Sequence, residues 1–292
     1  MSVKTYNYYN KRAYVVGDIH GHFDIIKNQI KTYKITDSVI IFAGDIGLGF
    51  EKTEHYKQIF PKLNKVMKMQ GNVLLFVRGN HDDPSYFQEE KINYSNIKSI
   101  PDYSVINFYQ DWDDEMKESP KFSILCVGGG LSIDRQYRLN AEMASIIEYK
   151  YWHPKASKED VEKHRKRYYW NNELPFYDID KLDEITKEGY NIEYVVSHTS
   201  PDFCYPYTKK GIESWMRLDE NLEKDADFER NTMTSIYNYL INHKHILTGW
   251  YYGHFHSHYE SYYDNVKFTL LDCEHHKWDM VEIGYKPMEI NI

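Results

Sequence analysis

Gly79-Asn80-His81-Asp82 follows directly on the apolar run Val73-Leu74-Leu75-Phe76-Val77 and Arg78. A buried strand that runs into Asn-His-Asp sets polar side chains at the carboxyl edge of a sheet, where open α/β sheets bind ligands. Alone, the tetrapeptide reads equally well as a turn, because Gly, Asn and Asp all favour turns. Other apolar runs in the chain end in the same way, and that repetition decides the reading. Ala13-Tyr14-Val15-Val16 ends at Gly17-Asp18-Ile19-His20-Gly21, and Val39-Ile40-Ile41-Phe42-Ala43 ends at Gly44-Asp45. Ile192-Glu193-Tyr194-Val195-Val196-Ser197 ends at His198, and Ile246-Leu247-Thr248-Gly249 leads to Gly253-His254-Phe255-His256. Asp and His at alternate positions project together from an extended segment, because strand side chains repeat every second residue. Carboxylate, imidazole and carboxamide without thiolate suit Mn, Fe, Zn or Mg better than a structural zinc.

Between the first three strands, Phe23, Ile26, Ile30 and Tyr33, then Tyr56, Ile59, Leu63, Val66 and Met67, recur at helical spacing. Pro61 predicts a kink in the second helix or its true start. The alternation of strand and helix predicts parallel pairing with right-handed crossovers. Further strands are expected at Val105-Ile106-Asn107-Phe108 and at Phe122 to Val127, the latter leaving through Gly128-Gly129-Gly130. The chain from Ser132 to Tyr190 is polar and helical in pattern. It is expected as an insertion or cap at about 132–190 within a single domain spanning 1–292. Its basic run, Lys163-His164-Arg165-Lys166-Arg167, reads as a solvated helix face. Phe228, Thr232, Met233, Ile236, Tyr237, Leu240 and Ile241 form a helix stripe, and Asp264-Asn265 predicts a turn between two tail strands.

A net charge of -8 over 292 residues argues against a generally basic nucleic-acid-binding surface and suits carboxylates gathered around cations. No long apolar run predicts a membrane span, and the N-terminus lacks the apolar core of a signal peptide, so a cytoplasmic protein without a membrane partner is expected. Cys126, Cys204 and Cys273 are odd in number and far apart, which argues against a disulfide framework or a thiolate zinc site. Cys126 and Cys273 are expected as small core residues. Asp111-Trp112-Asp113-Asp114-Glu115 is expected as a solvated acidic loop, His22 and Asp24 as serving the first helix's N-terminus, and Trp250, Tyr251 and Tyr252 as core. His275 and His276 follow a strand and receive no role.

The blocks ending at Asp18 and His20, Asp45, Asn80 and His81, His198, and His254 and His256 resemble, in order and spacing, the five signature blocks of the calcineurin-like metallophosphoesterases. That resemblance implies an α/β fold, a two-sheet β-sandwich flanked by helices in four α/β/β/α layers, with the early parallel strands in one sheet and the later strands in the other. It implies Asp18, His20 and His256 on one metal, Asn80, His198 and His254 on a second, and Asp45 bridging them. His81 would be the proton donor beside the leaving group, kept protonated and oriented by Asp82. The implied cofactors are two divalent ions, manganese first, with iron, zinc, nickel or magnesium as alternatives. The implied reaction is hydrolysis of a phosphate monoester on a phosphoprotein, nucleotide or small molecule, by in-line attack of a metal-bridging hydroxide. A phosphodiesterase or nuclease is the alternative, and a non-catalytic metal-binding scaffold a second one, opposed by the complete ligand set. No Gly-x-Ser-x-Gly segment offers a side-chain nucleophile.

The chain also departs from one branch of the family. Protein Ser/Thr phosphatases continue the second block to Asp-Arg-Gly, whereas Asp45 here precedes Ile46-Gly47-Leu48-Gly49, so one phosphate-binding arginine is missing. Arg78 is a candidate phosphate contact, with an ordinary salt bridge as the alternative. Gly128-Gly129-Gly130-Leu131-Ser132-Ile133-Asp134-Arg135 is similar to a Gly-Gly-x-x-Ser-x-Asp stretch of some bacterial and phage-type members. Arg135 and Arg138 are candidates to restore the missing charge. The alternative is that the glycines only make a tight strand exit.

Overall fold

Apolar runs without a polar face must be covered on both sides, and the architecture follows from how that is done. A computed structural model of the protein describes residues 2–110, 120–273 and 277–284. The expected acidic loop, Asp111 to Glu115, and His275 and His276 lie outside the described residues. In chain order the elements are β1 (Thr5–Tyr9), β2 (Arg12–Val16), α1 (Phe23–Thr32), β3 (Ser38–Phe42), α2 (Thr53–Met69), β4 (Val73–Phe76), α3 (Ser85–Gln88), β5 (Ile97–Ser99), β6 (Ser104–Tyr109), β7 (Phe122–Val127), α4 (Arg135–Trp152), α5 (Lys158–His164), α6 (Ile179–Lys187), β8 (Ile192–Ser197), α7 (Glu213–Met216), α8 (Leu222–Asn242), β9 (Gly249–Tyr252), β10 (Tyr259–Tyr263), β11 (Val266–Leu270) and β12 (Met280–Ile283).

Two mixed sheets stack face to face. One runs β12-β2-β3-β4-β5, with β2 to β5 parallel and β12 antiparallel at the edge. The other runs β1-β6-β7-β8-β9-β11-β10. Side-chain alternation assigns each strand residue to a layer. Tyr14, Val16, Ile40, Phe42, Leu74 and Phe76 point outward and are covered by α1 and α2 through Phe23, Ile26, Ile30, Tyr56, Phe60 and Leu63. Their neighbours Ala13, Val15, Val39, Ile41, Val73 and Leu75 point inward, against Ile106, Phe108, Phe122, Ile124, Cys126 and Val196 of the facing sheet. The outer face of the larger sheet packs Val105, Leu125, Val195, Trp250 and Phe268 against α6 and α8. The result is the expected α/β/β/α order.

The partition of strands differs from expectation at both ends of the described chain. β1 pairs in parallel with β6 in the larger sheet, while β12 returns to β2 in the smaller one, so each sheet holds a strand from the opposite half of the sequence. α2 starts at Thr53, so Pro61 does not mark its beginning and lies inside the helix on an exposed position. The expected stripe on α8 is buried at Thr232, Met233, Ile236, Tyr237 and Leu240 but not at its ends: Phe228 is 52% exposed beside Glu229 at 3%, and Ile241 is 39% exposed. The strand that leads to Gly253 is Gly249–Tyr252 rather than Ile246–Gly249, and Trp250, Tyr251 and Tyr252 are buried. Asp264 and Asn265, both at positive φ (46° and 65°), form the tight turn between β10 and β11, as the right-handed twist of a hairpin favours. His22 precedes α1 without a side-chain capping bond.

The 132–190 segment carries α4, α5 and α6. Its basic run is consumed locally: Lys163 pairs with Glu159, Arg167 with Glu162, and Arg165 ties α5 to Glu142 on α4. Among the described residues no helix is long and apolar enough to cross a membrane.

Candidate metal centre

The parallel strands of both sheets deliver their carboxyl ends to one place. Asp18 and His20 follow β2, Asp45 follows β3, Asn80 and His81 follow β4, His198 follows β8, and His254 and His256 follow β9. Ligand atoms of Asp18, His20, Asp45 and His256 all lie within 4.8 Å of one another. Asp18 Oδ2 stands 3.3 Å from His256 Nε2, and His20 Nε2 stands 3.1 Å from the same atom. A second group forms on the other side of Asp45. His198 Nε2 is 2.8 Å from Asn80 Oδ1 and 3.2 Å from Asp45 Oδ1, and the His198 and His254 rings are 4.8 Å apart. Asp45 thus turns Oδ1 to His198 and Oδ2 to His81 (3.5 Å) and His20 (3.9 Å).

The approach is close enough to demand glycine. A Cβ on Gly79 would collide with Asp45 Oδ1, and one on Gly253 would collide with Asp18 Oδ1. His20, Asp45, His254 and His256 all take positive φ, at 43°, 47°, 74° and 45°. Non-glycine residues held there cost about 1–3 kcal/mol each and cluster at functional sites.

The donor set fits divalent cations. His198 Nδ1 donates to the Ala43 carbonyl at 2.8 Å, so in the neutral ring Nε2 presents a lone pair to Asn80 Oδ1 and Asp45 Oδ1. Three acceptors facing one another require a positive charge between them. A proton can supply it: although burial alone would lower the His198 pKa, the Asp45 and Asp18 carboxylates raise it to about 10. Burial would likewise raise Asp45, yet His198, His81 and His20 hold it well below the usual carboxylate range. His254 is pushed well down by burial and by His198, whereas the hydrogen bond to Asp18 pulls His256 upward.

Supporting contacts orient these ligands. Asn80 Nδ2 donates to Ser132 Oγ (2.9 Å), and Ser132 donates through its hydroxyl and its N–H to Glu173 (2.6 and 2.8 Å), all buried. Glu229 Oε1 lies 3.6 Å from His254 Nε2 and accepts the Leu131 N–H. The sequence reading missed both carboxylates. Glu229 carries a usable signal, an acid three residues before Thr232 on the buried stripe of α8; Glu173 carries none.

Five expected roles are corrected. Asp82 does not orient His81: its carboxylate is fully buried and accepts the N–H groups of Ile46, Gly47, Leu48 and Gly79 at 2.8–3.1 Å, clasping the loop after β3 to that after β4. Nor is His81 kept protonated at rest, because burial outweighs the pull of Asp45 and pushes its pKa down to about 4. Arg78 is buried and occupied by Asp102 (2.9 Å) and by the carbonyls of Glu173 (2.7 Å) and Gly128 (3.3 Å). Arg135 is held by Asp219 (2.5 Å) and Asp225 (2.7 Å). Neither arginine faces the cavity of about 530 Å³ that opens from Asp45, Asn80, His81 and His254, whereas Arg138, Lys209, Lys210 and Arg230 line it. Cys273 is not a core residue either: it is half-buried beside His20 and His256.

Comparison with known proteins identifies the family. A model of the calcineurin-like phosphoesterase family matches residues 11–202, a span holding the blocks of Asp18, His20, Asp45, Asn80 and His198. No curated protein sequence matches significantly. Among solved structures, the chain is similar to a phosphopantetheinyl hydrolase from Mycobacterium tuberculosis, at 13% identity over 98% of this chain and 100% of that one (TM-score 0.35). It is also similar to a cold-active protein tyrosine phosphatase (14%, 69% and 68%, TM-score 0.29) and to a cold-active protein-tyrosine phosphatase of a psychrophile Shewanella sp. (10%, 92% and 73%, TM-score 0.33). With two thirds of its length matched and the strand-end ligands gathered as described, the chain belongs to the calcineurin-like phosphoesterase family.

Proposed function

We propose that this phosphoesterase is a phosphomonoesterase that works with two divalent cations, manganese being the first expectation. The observation that carries the reading is Asp45, whose two oxygens face separate donor groups. Asp18, His20 and His256 would hold one cation, Asn80, His198 and His254 the other, and Asp45 both. Such a pair supplies Lewis acidity and a water of lowered pKa. The remaining work falls to the chain. His81 keeps Nδ1 toward Asp45 and leaves Nε2 for a substrate oxygen. A neutral ring at rest, it gains proton affinity as a phosphate dianion arrives beside it, and can then pass a proton to the leaving oxygen. Arg138 lines the cavity with Nε on Asp134 (2.7 Å) and Nη1 on the Tyr168 carbonyl (3.1 Å), so the rest of its guanidinium would be what it offers a dianionic terminal phosphate. The 132–190 segment acts as a cap, since Ser132, Ile133, Asp134 and Arg138 close one side of the cavity. The proposed substrate is a phosphorylated protein, nucleotide or small molecule.

A diesterase is the second reading, favoured by one observation: Arg78 and Arg135, two charges that would select a dianion, are already paired. Hydrolysis of an aryl phosphate against a bis-aryl phosphate, after chelation and reconstitution with Mn²⁺, separates the two. Faster monoester turnover is expected. Faster diester turnover reverses the ranking, and no turnover with both ions bound returns the protein to a scaffold.

A further inference from the structure

Cys273 occupies a place in the centre that the strand-end ligands do not explain. Its Sγ and the ring nitrogens of His20 and His256 all lie within 4.8 Å of one another, and the same two histidines form the group with Asp18 and Asp45. The position is built rather than incidental. Leu271 N–H donates to the Tyr252 carbonyl at 2.8 Å, Asp272 N–H donates to Asp279 Oδ2 at 2.8 Å, and Cys273 N–H donates to Asp272 Oδ1 at 2.7 Å. This backbone lies so close to Gly17 that a Cβ there would collide with the Asp272 carbonyl oxygen. One packed contact therefore sets the residue before Asp18 and the residue before Cys273 together. Cys126 and Cys204 are buried in the cores between and outside the sheets and belong to no such group among the described residues.

We propose that Cys273 is a further donor to the cation held by Asp18, His20 and His256, and that it biases this position toward thiophilic ions. The inference rests on the two-cation reading above. On ligation the S–H bond breaks, the proton leaves to solvent, and the sulfur lone pair forms the metal–sulfur bond, with no change of oxidation state. A thiolate added to carboxylate and imidazole shifts preference from Mn²⁺ and Mg²⁺ toward Zn²⁺, Co²⁺ and Fe²⁺.

Cobalt reports on the bond without reference to turnover. The full-length protein is stripped with chelator and titrated with Co²⁺, as wild type and as Cys273→Ser and Cys273→Ala. Two cobalt ions per chain are expected throughout, with a sulfur-to-cobalt charge-transfer band in the near ultraviolet that only the wild type shows. In competition, the preference for Zn²⁺ over Mn²⁺ falls about tenfold or more in the variants, the scale of a lost metal contact. Alkylation followed by mass spectrometry gives a second measurement on the wild type alone: iodoacetamide modifies Cys273 in the stripped protein and is blocked by Co²⁺. Two bound cobalt ions without the band, a band that survives Cys273→Ser, or alkylation indifferent to Co²⁺ would each overturn the assignment while leaving the two-cation reading in place. Failure to bind cobalt at all removes both.

Discussion

Ser132→Ala tests how the site orients its neutral ligand. Ser132 Oγ sits between Asn80 Nδ2 at 2.9 Å and Glu173 Oε2 at 2.6 Å, with all three residues buried. Deleting the hydroxyl removes two hydrogen bonds and strands an amide N–H and a carboxyl oxygen out of reach of water. At about 1–3 kcal/mol for each unsatisfied buried group, folding stability should fall by about 2–6 kcal/mol. The effect on the metal is separate. Asn80 presents Oδ1 to His198 because Nδ2 is engaged on the other side. Losing that engagement removes about 1.4 kcal/mol of orientational preference, equivalent to about tenfold in affinity. Isothermal titration of Mn²⁺ into the chelated protein should therefore show one of two binding phases weakened about tenfold. The phase belonging to Asp18, His20 and His256 should be unchanged, since the hydroxyl of Ser132 is engaged by Asn80 and Glu173. A variant that loses stability but keeps both phases intact would refute the relay and reduce Ser132 to packing.

Asp82→Asn should cost about 3 kcal/mol or more in stability, because a carboxamide cannot accept four N–H groups. The kinetic pKa assigned to His81 should stay put; a shifted pH–rate profile at unchanged thermal stability would reinstate Asp82 as the partner of His81. Arg138→Ala should raise KM for an aryl monoester about tenfold with little loss of stability, whereas Arg135→Ala should lower the melting temperature by stranding Asp219 and Asp225; the opposite pattern would return Arg135 to the phosphate. Burial raises the Glu173 carboxyl to about 8 against the pull of the Ser132 donors. The folded protein then holds that proton more tightly than the unfolded chain, so this contribution to stability is full below the ordinary carboxyl pKa and is lost as pH rises through about 8. Thermal melts of chelated wild type and Glu173→Gln from pH 5 to 9 should show the wild type losing more stability across that window; parallel curves would clear Glu173.

The strand ends were readable because the physics is local. A run such as Val39-Ile40-Ile41-Phe42-Ala43 has no polar face, must be covered twice, and leaves Gly44-Asp45 at its edge whatever else the chain does. Roles fixed by long-range packing were not readable. Arg78 adjoins the key tetrapeptide, and proximity in sequence suggested a phosphate contact; its direction is set by Asp102 and by the return of the chain at Asn172 to Leu174. Asp82 follows His81 and was expected to serve it, but the nearest donors in space are four backbone N–H groups. β1, with its half-exposed tyrosines, gave no buried run to notice and is specified by its parallel partner β6. Cys273 looked like core because it follows Leu270 and Leu271, and only the fold brings it to His20 and His256. The first position of the α8 stripe is the instructive case. Phe228 fitted the apolar spacing, yet the helix spends that buried position on Glu229, whose carboxylate faces His254.

The two halves of the centre are preorganised by different means. Asn80 and His198 are 3% and 0% exposed, and each is fixed by a buried partner on its far side: Ser132 with Glu173 for one, the Ala43 carbonyl for the other. Their geometry is a property of the packed interior. His20 and His256 are more open, with the His256 side chain 50% exposed beside Asp18 (3.3 Å), and both are held at a left-handed backbone conformation. His254 combines the two devices, at φ 74° with Glu229 behind it. A ligand aimed by backbone strain releases that strain when the loop moves, whereas one wedged among hydrogen-bonded neighbours cannot move without breaking them. The Asn80 and His198 position should accordingly exchange its ion slowly, and the Asp18, His20 and His256 position should exchange it quickly. At that faster, more exposed position one more donor from Cys273 would alter which ion resides there, while leaving the buried half and the clasp built by Asp82 untouched.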